Sequence, residues 1–229
     1  MREGELLSIV SHELQTPIAV MTGLAATLAD GRHNLTEAQI DDCLRRISRQ
    51  GDRLGRLVAE LLDLSQVESG SFRISLEPVE LAGAAQSALD HAPSPPDKSV
   101  ELKIPEPLWA LGDPGRLEQI LVNLLTNAYR YGGSTIRLEA RGTPDGVVVT
   151  VADDGDGVPD ELVPKLFERF ARGAGADGVQ GSGLGLAIAQ ALMEGFGGRI
   201  WYEPGQPAGA RFRFLLQPAE ASVASMALN

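Results

Sequence analysis

Ser11-His12-Glu13-Leu14-Gln15-Thr16-Pro17 brings together groups that could do nucleophilic chemistry. An imidazole nitrogen is a competent nucleophile when a neighbouring carboxylate holds the other ring N–H and fixes the tautomer. Glu13 is such a neighbour, and Thr16 follows one helical turn later on the face of His12. Further along, Asn123, Asn127, Arg130 and Tyr131 recur at helical spacing, an amide-rich face opposite an apolar one. Gly181-Ser182-Gly183-Leu184-Gly185-Leu186 then opens a helix whose backbone N–H groups and dipole can take phosphate oxygens. It is not a Walker loop, because no Gly-Lys-Ser/Thr follows, and no strand leads into it as a dinucleotide fingerprint requires.

The elements that position these groups follow from periodicity. Leu7, Val10, Leu14, Pro17, Met21, Leu24 and Leu28 alternate at spacings of three and four, the a/d seam of a heptad, which puts His12 at f, opposite the seam. One helix is expected from about Glu3 to Ala29, with a bend where Pro17 removes a donor and crowds the Glu13 carbonyl. Asp30-Gly31-Arg32-His33-Asn34 breaks it, and Thr36 with Gln39 makes a capping box for a second helix to about Ser69. Its seam is expected along Ile40, Leu44, Ile47, Gly51, Leu54, Val58 and Leu61. A hairpin of two such helices is best covered by a second copy, as a four-helix bundle. The heptad is already running at Leu7, so the helix is expected to continue upstream in a longer protein.

The 229 residues are 43% hydrophobic, enough for a sizeable core and two modest domains. A net charge of −11 and a pI near 4.7 exclude the basic stripe of a nucleic-acid-binding surface. Cys43 is the single cysteine, so an intrachain disulfide or a thiolate cluster is impossible, and a reducing compartment fits. No apolar run is long enough for a transmembrane helix, and no signal peptide opens the chain.

A new domain is expected after Glu68-Ser69-Gly70-Ser71, starting with a strand from Phe72 to Leu76. Leu81 to Leu89 reads as a helix, Val100 to Ile104 as a strand, and Asp113-Pro114 as the N-cap and first turn of the next helix. That helix turns Leu117, Ile120, Leu121, Leu124, Leu125 and Ala128 to the core. Ser134 to Arg141 and Val147 to Ala152 form a hairpin through Thr143-Pro144-Asp145-Gly146, and the second strand runs into Asp153-Asp154-Gly155-Asp156-Gly157. A short helix over Glu161 to Phe170, a helix over Leu184 to Phe196 and a hairpin of Arg199 to Glu203 with Arg211 to Leu216 follow. Residues 219–229 read as a disordered tail.

Residues 11–17 resemble the phosphoacceptor box of two-component sensor histidine kinases, with Gln15 where that family usually has Arg or Lys. Asn123-x-x-x-Asn127, Asp153-x-Gly155-x-Gly157, Phe167-x-x-Phe170 and Gly181-x-Gly183-x-Gly185 resemble, in order, the N, G1, F and G2 boxes of its catalytic domain. The resemblance implies a phosphotransfer and dimerisation domain at 1–69 and an ATP-binding domain at 72–218. The implied fold is α plus α/β: a helical hairpin dimerising into a four-helix bundle, then an α/β sandwich whose mixed sheet is covered on one face by helices. It further implies that Asn127 ligates Mg²⁺, a hard cation that keeps several waters while bridging phosphates. Asn123 shares that face, Arg130 reaches the phosphates in place of the more usual Lys, and Tyr131 lies near the base. Asp153 accepts from the adenine amine, and Gly155 and Gly157 let the backbone approach the base. Phe170 closes the F box, Arg172 reaches the γ-phosphate from a glycine-rich lid, and Gly181, Gly183, Leu184 and Gly185 hold phosphates. Ala210 stands where a small hydroxyl residue is expected.

By the same resemblance, His12 takes the γ-phosphoryl group of ATP with Glu13 as base and passes it to an aspartate of a response-regulator receiver domain. Thr16 orients water during any dephosphorylation of that regulator. The fragment is expected to be cytoplasmic, in a full-length protein that can carry an upstream sensor or an inner-membrane anchor. Two rival readings exist. Gyrase-type and chaperone ATPases share the pocket, but they place a Glu where Asn123 stands, and an amide is a poor general base. A dimerising scaffold without chemistry draws support only from Gln15 and Ala210.

Overall fold

The computed structural model describes residues 3–31, 35–68, 74–171 and 182–219. The expected tail beyond 219, Arg172 and Gly181 lie outside the described residues. The chain forms two compact units, Met1–Glu68 and Ser69–Asn229.

The first unit is a hairpin of α1 (Glu3–Gly31) and α2 (Glu37–Glu68). From Val10 onward the expected α1 seam is the less exposed line of the helix, with Pro17 buried. The helix runs through Pro17 without interruption. Thr36 and Gln39 form the reciprocal cap, Thr36 N–H donating to Gln39 Oε1 at 2.9 Å and Gln39 N–H to Thr36 Oγ1 at 3.3 Å. The seam of α2 differs from expectation. Ile40, Ile47, Leu54 and Leu61 do turn inward, but the positions between them on the α1 side are Cys43, Gln50, Leu57 and Leu64, with Leu57 and Leu64 buried. Leu44 is 53% exposed, Val58 44% and Leu62 60%. Both readings are three-four patterns that share every other position. The apolar arc of α2 is wider than one partner helix can cover, so α1 takes one side of it and leaves the other.

In the second unit, β1 (Glu77–Glu80) pairs antiparallel with β3 (Trp109–Gly112) as a small ribbon. The expected strand over Phe72 to Leu76 is not there: residues 74–76 have no strand pairing, and residues 72 and 73 lie outside the described residues. Alternation alone cannot make a strand without a partner edge, and the partner, β3, is too short to announce itself. Between β1 and β3 come α3 (Leu81–His91) and β2 (Ser99–Lys103). The Glu80 side chain caps α3 by accepting from Ala82 N and Gly83 N.

Helix α4 (Pro114–Tyr131) has Asp113 as its N-cap, accepting from Arg116 N at 3.2 Å. Its buried residues are the six expected from periodicity, Leu117, Ile120, Leu121, Leu124, Leu125 and Ala128. Each buried Leu or Ile contributes roughly 1.5–3 kcal/mol relative to an exposed position. Strands β4 (Thr135–Thr143) and β5 (Gly146–Asp153) form the expected hairpin, with Thr143 paired to Gly146. Helix α5 (Gly185–Gly195) and the strands β6 (Arg199–Pro204) and β7 (Ala210–Leu216) complete the unit. The expected helix over Glu161 to Phe170 reduces to a single 3₁₀ turn at Val163–Lys165. Pro164, which cannot donate a helical bond, sits in the middle of it.

The main sheet has the order β2-β4-β5-β7-β6. It is mixed: β2 runs parallel to β4, and the other pairs are antiparallel. Ile136, Leu138 and Ala140 of β4, Val147, Val149 and Val151 of β5, and Phe212, Phe214 and Leu216 of β7 are all buried. This period of two turns one face of the sheet to α4 and α5, and gives the opposite face Arg137, Glu139, Arg211 and Arg213 beside Val148, Thr150 and Leu215.

Candidate functional site

On α1, His12 is exposed and off the seam, while Glu13 next to it is half-buried. Pro17 cannot donate to the Glu13 carbonyl. One residue earlier, the Thr16 hydroxyl donates to the His12 carbonyl oxygen at 3.0 Å, a back-bond that ties its side chain to the turn carrying the imidazole. The Glu13 carboxylate meets α2: Arg53 Nη2 lies 3.3 Å from Glu13 Oε2. No sequence signal pairs residues forty apart, so this partner is visible only in the folded hairpin.

In the second unit the four boxes converge around the C-terminal half of α4, the end of β5 and the start of α5. Asn123 does not present both ends of its amide, because its Nδ2 donates to the Gly185 carbonyl at 3.1 Å. It is a clamp between α4 and α5. Asn127, one turn later on the same face, is half-buried, Arg130 is exposed, and Tyr131 at the helix end is 51% exposed. Among the described residues no group of three His, Cys, Asp or Glu side chains converges as a metal cage. A single neutral amide oxygen on an open face is a donor set that suits Mg²⁺, which completes its shell with water and phosphate rather than protein.

Asp153 ends β5 with its Oδ1 fixed by two backbone donors, Gly155 N–H at 2.9 Å and Ala210 N–H at 3.3 Å. The main chain of Ala210 thus orients the carboxylate even though this position lacks the expected hydroxyl. Gly155 and Gly157 are also needed for the packing of the backbone itself. A Cβ on Gly155 would stand 2.8 Å from the Gly132 Cα and from the Tyr131 carbonyl oxygen, and one on Gly157, where φ is +80°, would stand 2.9 Å from the Gly209 carbonyl oxygen. These glycines let three stretches of backbone touch.

Asp154 fastens the same corner. Its Oδ1 accepts from Thr135 N–H at 2.8 Å and its Oδ2 from the Ser134 hydroxyl at 3.4 Å. The Thr135 N–H foremost holds this carboxyl below the usual range. Lys98 Nζ donates to the carbonyls of Gly132 and Gly133 at 2.7 and 2.9 Å. Sequence reasoning passed over Asp154, Lys98 and Gly209, although the Gly132-Gly133 pair facing a box glycine was a readable sign of close backbone contact.

Phe170 and Gly183 are brought together, the Phe170 N–H donating to the Gly183 carbonyl at 2.9 Å. Phe170 has φ of +60°, the sole positive-φ residue other than glycine among the described residues, and Gly183 has φ of +73°. Leu184 is an anchor, its side chain fully buried and its N–H donating to Ser182 Oγ at 3.1 Å. Gly185 opens α5, where unpaired N–H groups and the helix dipole favour an anion.

Comparison with known proteins accords with this geometry. Residues 112–220 match the family of histidine kinase-, DNA gyrase B- and HSP90-like ATPases, and residues 2–70 match the His Kinase A phosphoacceptor domain. The chain is 35% identical over 207 residues to the probable sensor histidine kinase TcrY of Mycobacterium tuberculosis, covering 86% of this chain and 42% of that protein. It is 33% identical over 219 residues to the sensor protein KdpD of Escherichia coli, covering 92% of this chain and 24% of that one. The chain therefore spans less than half the length of these relatives. Among solved structures, the Acinetobacter baumannii histidine kinase AdeS superposes with a TM-score of 0.70 at 25% identity, over 91% of this chain and 98% of that one. Full-length ShkA in complex with AMPPNP superposes with a TM-score of 0.65 at 30% identity, over 94% of this chain and 47% of that one. With a phosphoacceptor region and an ATPase region in the same order, the chain belongs to the two-component sensor histidine kinases.

Proposed function

We propose that the chain phosphorylates itself on His12 from ATP·Mg²⁺ and passes the phosphoryl group to an aspartate of a response-regulator receiver domain. The observation that carries this reading is an exposed imidazole beside a half-buried carboxylate, on a helix that does not use that imidazole for packing. A ring nitrogen of His12 attacks the γ-phosphorus, the N–P bond forms as the bond to the β-phosphate oxygen breaks, and the ring proton passes to Glu13. In the second step the receiver aspartate oxygen displaces His12, whose nitrogen recovers its electron pair. Asn123 offers no base for water, which favours transfer to His12 over hydrolysis.

Within the ATP-binding unit, Asp153 Oδ2 accepts from the adenine amine while Oδ1 stays on its backbone donors. Asn127 holds Mg²⁺, which neutralises charge on the phosphates when bound. Gly183, Gly185 and Arg130 face the phosphates, and Arg172 and Gly181 are assigned there by resemblance. Two copies associate through residues 1–69, supported by Leu44, Val58 and Leu62 exposed along α2, with open space around Gly51 and Gly55 between them. No helix among the described residues is long and apolar enough to cross a membrane.

The test is labelling from γ-labelled ATP followed by a panel of receiver domains. The expected label is acid-labile and base-stable, as a phosphoamidate is, and one receiver strips it from the kinase. An acid-stable label, or release of phosphate without labelling, overturns the reading. The metal assignment has its own test. Asn127→Ala leaves Leu124 and Ala128 in the core, so the fold should hold, while ATP affinity in the presence of Mg²⁺ should fall by about 10-fold or more. Equal affinity for both proteins in titrations with Mg²⁺ would place the metal elsewhere.

A further inference from the structure

Arg53 crosses the hairpin to the residue that follows the phosphoacceptor. Its Nη2 is 3.3 Å from Glu13 Oε2, and the two side chains are 22% and 14% exposed, far more enclosed than an ordinary surface pair. Charges withdrawn from water to this degree lose hydration that their attraction only partly returns, so an apolar residue here would serve hairpin stability at least as well. The pair sits at one point of α1. Pro17 deprives Glu13 of the helical donor to its carbonyl, and Arg53 supplies a restraint to the same residue through its side chain. A free glutamate side chain has three torsions and roughly 1.5–2 kcal/mol of rotamer entropy to lose before it can serve as a base in one geometry. A guanidinium that grips one carboxylate oxygen removes much of that freedom beforehand.

We propose that Arg53 is a positioning residue for histidine phosphorylation: it holds Glu13 by Oε2 so that the carboxylate stands ready beside the His12 imidazole. This rests on the reading of His12 as acceptor and Glu13 as base. It predicts a loss in turnover that runs through Glu13 and leaves nucleotide binding alone, because misplacing a catalytic group by about an ångström costs roughly 10²-fold.

The experiment is a cycle of initial labelling rates at saturating ATP·Mg²⁺ for the full chain, Arg53→Ala, Glu13→Gln and the double variant, with Arg53→Lys as the conservative change. Arg53→Ala should lower kcat by roughly 10- to 100-fold with KM for ATP changed less than about twofold. Arg53→Lys should recover part of the loss, since an ammonium reaches the carboxylate without the planar fork. In the Glu13→Gln background, Arg53→Ala should have no further effect, the non-additivity expected of residues acting as one unit. Helix content and dimer mass accompany each variant. If Arg53→Ala fails to fold, Arg53→Met replaces it, filling similar space without the charge. A wild-type rate for Arg53→Ala beside a slow Glu13→Gln overturns this inference alone, as does the same fold-loss in both backgrounds, which marks a packing role. A wild-type rate for Glu13→Gln overturns the base assignment and Arg53 with it.

Discussion

His12→Gln should take up no label from γ-labelled ATP, while ATP binding and helix content stay at wild-type levels. His12 is exposed on α1 away from the seam, so no buried contact is lost. Gln is as good a helix former as the helix needs, and an exposed substitution of this kind shifts stability by no more than about 0.5 kcal/mol. What disappears is the ring nitrogen, which no amide replaces as a nucleophile. The loss should therefore be complete, down to the background of the assay. Filter-bound label after base treatment, compared between the two proteins, measures it. Persistent base-stable label in the variant would mean that another residue is the acceptor, and His33 and His91 are the other histidines to test.

Gly209→Ala should be the most damaging single-methyl change in the ATP-binding unit. Gly209 has φ of +96°, a region that L side chains rarely adopt, and a Cβ there would stand 1.9 Å from the Asp153 carbonyl oxygen and 2.7 Å from its carbonyl carbon. Both obstacles are main chain, so no rotamer relieves them. Relief requires the start of β7 to part from the end of β5, which breaks the bond from Ala210 N–H to Asp153 Oδ1. The expected cost is about 3 kcal/mol or more, and ATP affinity should fall with it because Asp153 loses its orientation. Thermal unfolding and nucleotide titration read the two effects. Gly142→Ala is the control: no atom lies within 4 Å of its added Cβ, so about 0.5 kcal/mol either way is expected. Similar losses in both variants would show that crowding at Gly209 is not what matters.

The contrast between these glycines shows which features could be read in advance. Periodicity named all six core residues of α4, because a helix buried along one stripe writes its spacing into consecutive turns. It placed the α1 seam for the same reason. On α2 it chose Leu44, Gly51 and Val58, since a heptad reports that a face is apolar without reporting which neighbour covers it. The capping residues Thr36 and Asp113 were legible because a cap is a local bond. The Arg53–Glu13 contact, the clamp from Asn123 to Gly185 and the strand β3 were not, since each depends on residues distant in sequence. The glycine boxes were found for an incomplete reason. Their resemblance to the family's boxes implied a nucleotide, whereas Gly155, Gly157 and Gly209 also answer to one another and to the end of α4.

The bond from Phe170 N–H to Gly183 carbonyl has a consequence for how this chain can diverge. It joins the end of the F-box stretch to the turn before α5 through main-chain atoms alone, so neither side chain is needed to make it. Gly183, at φ of +73° and with a Cβ that would stand 2.8 Å from the Phe170 main chain, should therefore stay glycine among descendants of this sequence. One residue beyond Gly183, the fully buried Leu184 fixes the start of α5, and a change of length there would shift every contact the helix makes.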